Sequence, residues 1–174
     1  MCIVYRYQHE VRLATDGEIR HVTLDSVGDA SSMDVPERIA EFRAFLARGD
    51  RGYYGYVSGR VVHRSWAVRG PATMRLWRRF GAWPVQAGEA YVHYCETAPE
   101  ARGHGLYPAV LSRIAADLAA EGIQDLFITT ESGNHASRRG IEKAGFVECA
   151  RVLVRVIFGF GFQHVIETDR HGRV

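Results

Sequence analysis

Chemistry is densest between Thr97 and Pro108, which read Thr97-Ala98-Pro99-Glu100-Ala101-Arg102-Gly103-His104-Gly105-Leu106-Tyr107-Pro108. The pattern reads as a strand ending and a helix beginning within a few residues. Gly103 and Gly105 let the backbone turn tightly and approach a ligand without side-chain interference. Pro108 fits the first helical turn, where a missing N–H costs nothing. The free N–H groups and the helix dipole favour an anion such as a pyrophosphate, and Arg102 adds a forked cation. No Gly-Lys-Ser/Thr and no G-x-G-x-x-G is present here, which excludes the nucleotide and dinucleotide phosphate loops.

Two further groups flank this turn. The preceding strand Glu89–Glu96 carries His93, Tyr94, Cys95 and Glu96. Strict alternation places Tyr94 and Glu96 on one face and His93 and Cys95 on the other, unless a bulge resets the register. His93 reads as a packed histidine. Downstream, Asn134, Ser137, Gly145 and Phe146 frame a helix with a cap at its start and a glycine at its end. A structural glycine turn and a capped helix would explain each segment taken singly.

The elements that must position these residues follow from periodicity. Leu106–Glu121 reads as a helix with Tyr107, Val110, Leu111, Ile114 and Leu118 on one face. Asp125–Thr130 reads as a strand, Asn134–Ala144 as a helix and Phe146–Ile157 as a strand. Phe160–Glu167 is the last strand, with its turn near Gly159 and a fraying tail at Arg170–Val174. In the N-terminal half, Cys2–Arg12 reads as a strand and Asp25–Met33 as a loop. Asp34 is expected to cap a helix carrying Ile39, Phe42, Phe45 and Leu46 and ending at Gly49. Gly52–Val57 and Arg60–Val68 flank a Ser58-Gly59 hairpin turn. Met74–Trp83 is expected to be a helix or lid packed on the domain. The order of elements predicts a single α/β domain with a mixed sheet.

Composition narrows the function further. A chain of 174 residues, 47% hydrophobic and 24% charged, has the makeup of one soluble globular domain. No apolar run reaches the ~18–20 residues of a membrane span, and the first residues do not resemble a secretory signal. The expected address is the cytoplasm. The three cysteines, Cys2, Cys95 and Cys149, form neither a disulfide framework nor a metal-ligand pattern. A net charge of +2 is too small to argue for nucleic acid.

In order and with a strand between them, the glycine turn and the Asn134–Phe146 segment resemble the two motifs of the GNAT superfamily of acyl-CoA N-acyltransferases. In that family the turn reads Arg or Gln, two residues, Gly, one residue, then Gly or Ala. Arg102 and Gly105 fit, and Tyr107 stands where the small residue belongs. Asn134, Ser137, Gly145 and Phe146 match the second motif in register. The resemblance covers about residues 89–154 by motif and the N-terminal half only by topology. It implies one domain over 1–174, with a mixed, centrally splayed β-sheet flanked by helices.

The resemblance also implies a chemistry: transfer of acetyl, or another short acyl group, from acyl-CoA to a primary amine. Thr97 would help polarise the thioester carbonyl. Arg102, Gly103, His104, Gly105, Leu106 and Tyr107 would hold the pyrophosphate, and Asn134 would meet the pantetheine arm. Acetyl-CoA is the implied co-substrate, with no metal. Glu96 is the expected general base, acting through water, with Tyr94 beside it. Relatives often protonate the thiolate with a tyrosine seven residues after the asparagine. That position is Ile141 here, which leaves Tyr107, Tyr94 or solvent. The acceptor would be a small-molecule amine, such as an amino sugar or an antibiotic-pathway amine, in a pocket drawing on His63, Trp66, Trp77 and Trp83. No nucleic-acid or membrane partner is implied, and a homodimer is compatible with the sequence. The alternative is a non-catalytic acyl-CoA-binding sensor or interaction domain.

Overall fold

The computed structural model describes residues 1–76, 81–157 and 160–167. Ten strands and three α-helices alternate along the described chain. They run β1 (Cys2–Tyr7), β2 (Glu18–His21), α1 (Pro36–Arg48), β3 (Arg51–Val57), β4 (Arg60–Arg69), β5 (Ala72–Leu76) and β6 (Gly81–Val85). There follow β7 (Glu89–Thr97), α2 (Leu106–Ala120), β8 (Asp125–Glu131), α3 (His135–Lys143), β9 (Phe146–Ile157) and β10 (Phe160–Glu167). Eight strands form one sheet in the order β10-β9-β1-β8-β7-β4-β3-β2, and β5 and β6 pair as a separate ribbon.

Every pairing in the large sheet is antiparallel except β7 with β8. That parallel pair runs only from Glu89↔Asp125 to Val92↔Ile128, although both strands continue. From His93 onward β7 pairs with β4 alone, so the sheet splays at its middle. The cause lies in β7 itself. Tyr94 and Cys95 together oppose the single residue Ser65, and Tyr94 has a φ of 53°. Such a bulge bends and twists its strand, and here it turns β7 away from β8.

The sheet is covered on both faces. On one, α2 and α3 pack Val110, Leu111, Ile114, Leu118 and Ile141 against Ile3, Tyr5, Ala90, Val92 and Ile128. Full burial of each such aliphatic side chain stabilises the fold by about 1.5–3 kcal/mol. On the other, α1 and a 3₁₀ turn at Val27–Ser32 cover β3 and β4 through Phe42, Trp66 and Tyr54. The β5–β6 ribbon covers β1, β8 and β9 through Val85, Met74 and Trp83.

Four local expectations change. Asp25–Met33 contains the 3₁₀ turn rather than only loop. The residue at the α1 cap is Val35, with Pro36 in the first turn, and Asp34 instead accepts from Arg64 Nε at 2.8 Å. A buried arginine is the stronger claimant on a carboxylate than a helix amide. The described parts of Met74–Trp83 are strands rather than a helix: Ala72 and Met74 pack inward while Thr73 and Arg75 are exposed, a period of two. The short, charged strand β2 was not foreseen. Ser58 and Gly59, both at positive φ, make the expected hairpin turn between β3 and β4. The turn near Gly159 and the tail Arg170–Val174 lie outside the described residues.

Candidate active site

A cleft of about 1470 Å³ opens at the splay and passes between β7 and β8. On the α2–α3 side its wall is Thr97, Arg102, Gly103, Gly105, Leu106, Tyr107, Asn134, Ser137 and Gly140. On the opposite side the wall is formed by Glu41, Phe45 and Arg48 of α1, by Met74 and Arg75 of β5, and by His93, Tyr94 and Glu96. The splay therefore joins two half-sites across the sheet.

The glycine turn builds the first half-site. Gly103 and Gly105 have φ of 86° and 75°, and a Cβ at either would point into open space. Gly105 is the cap of α2, and no side chain covers the helix start. The N–H groups of Leu106 and Tyr107 thus lack intrahelical partners and face the cleft. Arg102 donates from Nε to the Thr97 carbonyl at 3.1 Å, which ties its guanidinium to the cleft mouth. An uncapped helix start with room around it fits a pyrophosphate. His104 is exposed and is not part of the cleft wall. Arg139 and Lys143 of α3 do line it; the sequence reading missed them, although their i,i+4 spacing on one helix face was visible.

Asn134 caps α3, its Oδ1 accepting from Ser137 N at 3.1 Å, and also lines the cleft. Ile141 is fully buried in the core and presents nothing to the cleft. Tyr107 fills the adjoining space. Its ring lies where a Cβ on Gly140 would sit, 2.5 Å from the ring's Cδ1, and its hydroxyl is 3.4 Å from Ser137 Oγ. Burial, and then the nearby Cys95, raise the Tyr107 phenol well above its usual pKa, so it keeps its proton.

Thr97 ends a buried chain: its Oγ1 lies 2.7 Å from His63 Nδ1, and His63 Nε2 lies 2.8 Å from Ser65 Oγ. Burial, with Arg64 next to it, pushes His63 down to about 3, so the ring is neutral. The same burial pushes the Cys95 thiol up to about 11.

Across the sheet, Arg64 organises the bulge. It is almost wholly buried and donates to Asp34, to the Tyr94 carbonyl at 2.7 Å and to Glu96 Oε2 at 2.5 Å. The Glu96 side chain is 55% exposed. A general base strengthened by withdrawal from water needs a less exposed and unpaired carboxylate. Tyr94 turns to α1, its hydroxyl accepting from Arg38 and donating to Glu41, both at 2.9 Å.

The bulge also brings Tyr94 to the face of His93, and both rings pack on Phe45. There His93 Nε2 meets Asp50 Oδ2 at 3.0 Å. His63 and Trp66 are core residues and Trp83 packs on Phe127, so the cleft aromatics are Phe45, Tyr91, Tyr94 and Tyr107. Trp77 lies outside the described residues. Among the described residues no cluster of metal-binding side chains occurs, and no helix is long and apolar enough to cross a membrane.

The model of the GNAT acetyltransferase family matches residues 32–146, more than half of the chain. The chain belongs to that family. No curated protein matches it. Among solved structures it is similar to a GNAT acetyltransferase from Colwellia psychrerythraea, with a TM-score of 0.64 and 17% identity over 84% of this chain and 52% of that one. A putative GNAT acetyltransferase from Novosphingobium aromaticivorans gives 0.56 and 18% over 85% and 60%. The chain therefore spans little more than half the length of these two. The aminoglycoside N-acetyltransferase AAC(6')-Iy in complex with CoA gives 0.61 and 13%, over 80% of this chain and 98% of that one. At such identities the likeness is one of fold.

Proposed function

We propose that the chain transfers an acetyl or other short acyl group from acyl-CoA to a primary amine of a small molecule. The carrying observation is the cleft through the splayed sheet, with an uncapped helix start on one side and a separate half-site on the other. Acyl-CoA, when bound, supplies an activated acyl carbonyl. Leu106 and Tyr107 hold its pyrophosphate through their N–H groups, with Gly103 and Gly105 leaving room, Arg102 neutralising charge, and Thr97 and Asn134 lining the arm's path. His104 contributes backbone only. Tyr107 supplies the proton that the departing thiolate takes.

The amine enters from the α1 and β5 side. Glu41 and Glu96 supply negative charge there, and Phe45 and Tyr94 supply apolar surface. Fold likeness to aminoglycoside N-acetyltransferases, including AAC(6')-Ih from Acinetobacter baumannii, supports small polyamines or amino sugars as the first acceptors to test.

The test is release of free thiol from acetyl-CoA over a panel of amino sugars, aminoglycosides and simple amines, with mass detection of the product. Acylation of at least one amine is the expected result. Tight coenzyme A binding without turnover on any amine would instead make the chain a sensor.

A further inference from the structure

We propose that His93, oriented by Asp50, is the general base that takes the acceptor amine's proton. This rests on the acyltransferase reading above and assigns the acid–base chemistry of that same cleft. Three observations carry it.

The first is the built pair. Asp50 is buried and accepts from Arg48 through both carboxylate oxygens, at 2.9 and 2.5 Å, while Oδ2 also faces His93 Nε2 at 3.0 Å. An ionised carboxylate only accepts, so Nε2 carries the proton and Nδ1 is left with a free lone pair. Burial raises the Asp50 carboxyl, and the hydrogen bonds from His93 and Arg48 more than offset it, leaving its pKa below the usual value. The pair therefore has a fixed tautomer and a fixed negative partner, which stabilises the imidazolium formed when Nδ1 takes a proton.

The second is where His93 sits. His93 lines the cleft on the acceptor side, beside Phe45 and Arg48. Its Nδ1 has no partner among the described residues, nor is it among the buried unpartnered atoms. The third is rigidity. Phe45 stacks edge-on against the imidazole at 5.1 Å. Asp50 follows the Gly49 cap of α1, where its own N–H bonds the Phe45 carbonyl at 2.9 Å. One helix end thus supplies the carboxylate, its arginine and the ring that packs the base. Glu96 has none of this, being exposed and held by Arg64.

In the reaction, Nδ1 of His93 takes one proton from the ammonium and passes it to water. The freed nitrogen forms a bond to the acyl carbon as the carbon–sulfur bond breaks. Tyr107 gives its proton to the sulfur, and the second proton shed by nitrogen restores the phenol through water. One proton is released per amide formed. Charged and titratable groups facing this region are Arg48 and Glu41 from α1, Asp50, Tyr94 and Glu96 from β7 and Arg75 from β5, with Arg38 bonded to Tyr94 and Glu41.

The test uses the full chain, acetyl-CoA and the amine that the unaltered chain acetylates best. For His93→Gln, kcat at neutral pH should fall by roughly 10²–10⁴-fold with acetyl-CoA Kd unchanged, the loss shrinking at high pH where free amine is plentiful. Added imidazole should restore turnover of His93→Ala at least several-fold. Glu96→Gln should lose less than about tenfold, the size of a supporting charge rather than a base. Asp50→Asn should lower kcat more than it changes KM, and imidazole should not restore it. A readout independent of activity is the ¹⁵N spectrum of histidine-labelled free protein: His93 should carry its proton on Nε2, and Asp50→Asn should redistribute it.

Full kcat in folded His93→Gln, absence of imidazole rescue, or an unprotonated Nε2 would each overturn the assignment while leaving the acyltransferase reading intact. Failure of that reading looks different: the unaltered chain would acetylate nothing on the panel.

Discussion

Tyr107 and Ile141 show how a single position redistributes chemistry. Where relatives often place a tyrosine, Ile141 is core; Tyr107, in the first turn of α2, reaches over α3 instead, onto the bare backbone of Gly140. The two positions are coupled, because a methyl at Gly140 would collide with the ring. Tyr107→Phe removes only the hydroxyl, so the fold should hold. Its kcat should fall about 10²–10³-fold, in the range of one lost acid–base group, with little change in coenzyme A affinity. Steady-state kinetics beside calorimetric binding would check this. Unchanged kcat in Tyr107→Phe would return the proton to solvent. Tyr107 was legible as a candidate because it was a phenol at an unexpected place. Its packing on Gly140 was not, since the two are joined only when α2 and α3 meet.

Elements with one strong local signal were readable from the sequence. The apolar stripe of α2, the glycine that ends α1 and the Ser58-Gly59 turn each depend on neighbours three or four residues away. The β5–β6 ribbon failed for the opposite reason: Met74, with its large apolar neighbours, matches a helical spacing as well as an alternation, and only packing on β1 and β8 chooses. The His93–Asp50 pair lay beyond reach, because it joins a bulge in β7 to the end of α1. The tight backbone of the glycine turn was legible, since Gly103 and Gly105 both take positive φ, whereas the exposure of His104 outside the cleft wall was not; the turn gives the sharpest test at this scale. Valine at 105 would strain a residue held at a φ of 75°. Asparagine tolerates that region and is itself a good helix cap. Gly105→Asn should therefore melt within a few degrees of the parent yet bind coenzyme A at least tenfold more weakly, because its side chain occupies the anion's space. Equal affinity by calorimetry would move the pyrophosphate away from α2.

At the scale of the whole molecule, the sheet that opens the cleft is also held by groups that resist protonation, and this fixes how stability depends on pH. His63 is wholly buried beneath the cleft wall, bonded to Thr97 and Ser65, with its pKa lowered from 6.5 to about 3. Unfolded, the ring takes a proton below about pH 6.5; folded, it does not until about pH 3. The unfolded chain therefore binds more protons across that window, and stability falls as pH falls. The slope from one such group is about 1.4 kcal/mol per pH unit, approaching about 5 kcal/mol at pH 3. Asp50 adds a loss in the same direction at the acid end, because its carboxyl is depressed in the fold and must be protonated below its usual range. Since domains of this kind hold only about 5–15 kcal/mol in total, a loss of this size removes a large share of the stability by pH 3. Urea midpoints measured at pH 7, 6, 5 and 4 should fall steadily. His63→Gln, whose amide can still bond Thr97 and Ser65 without titrating, should start lower at pH 7 but fall more shallowly. Parallel slopes in parent and His63→Gln would mean that His63 is not the group that couples the sheet to acid.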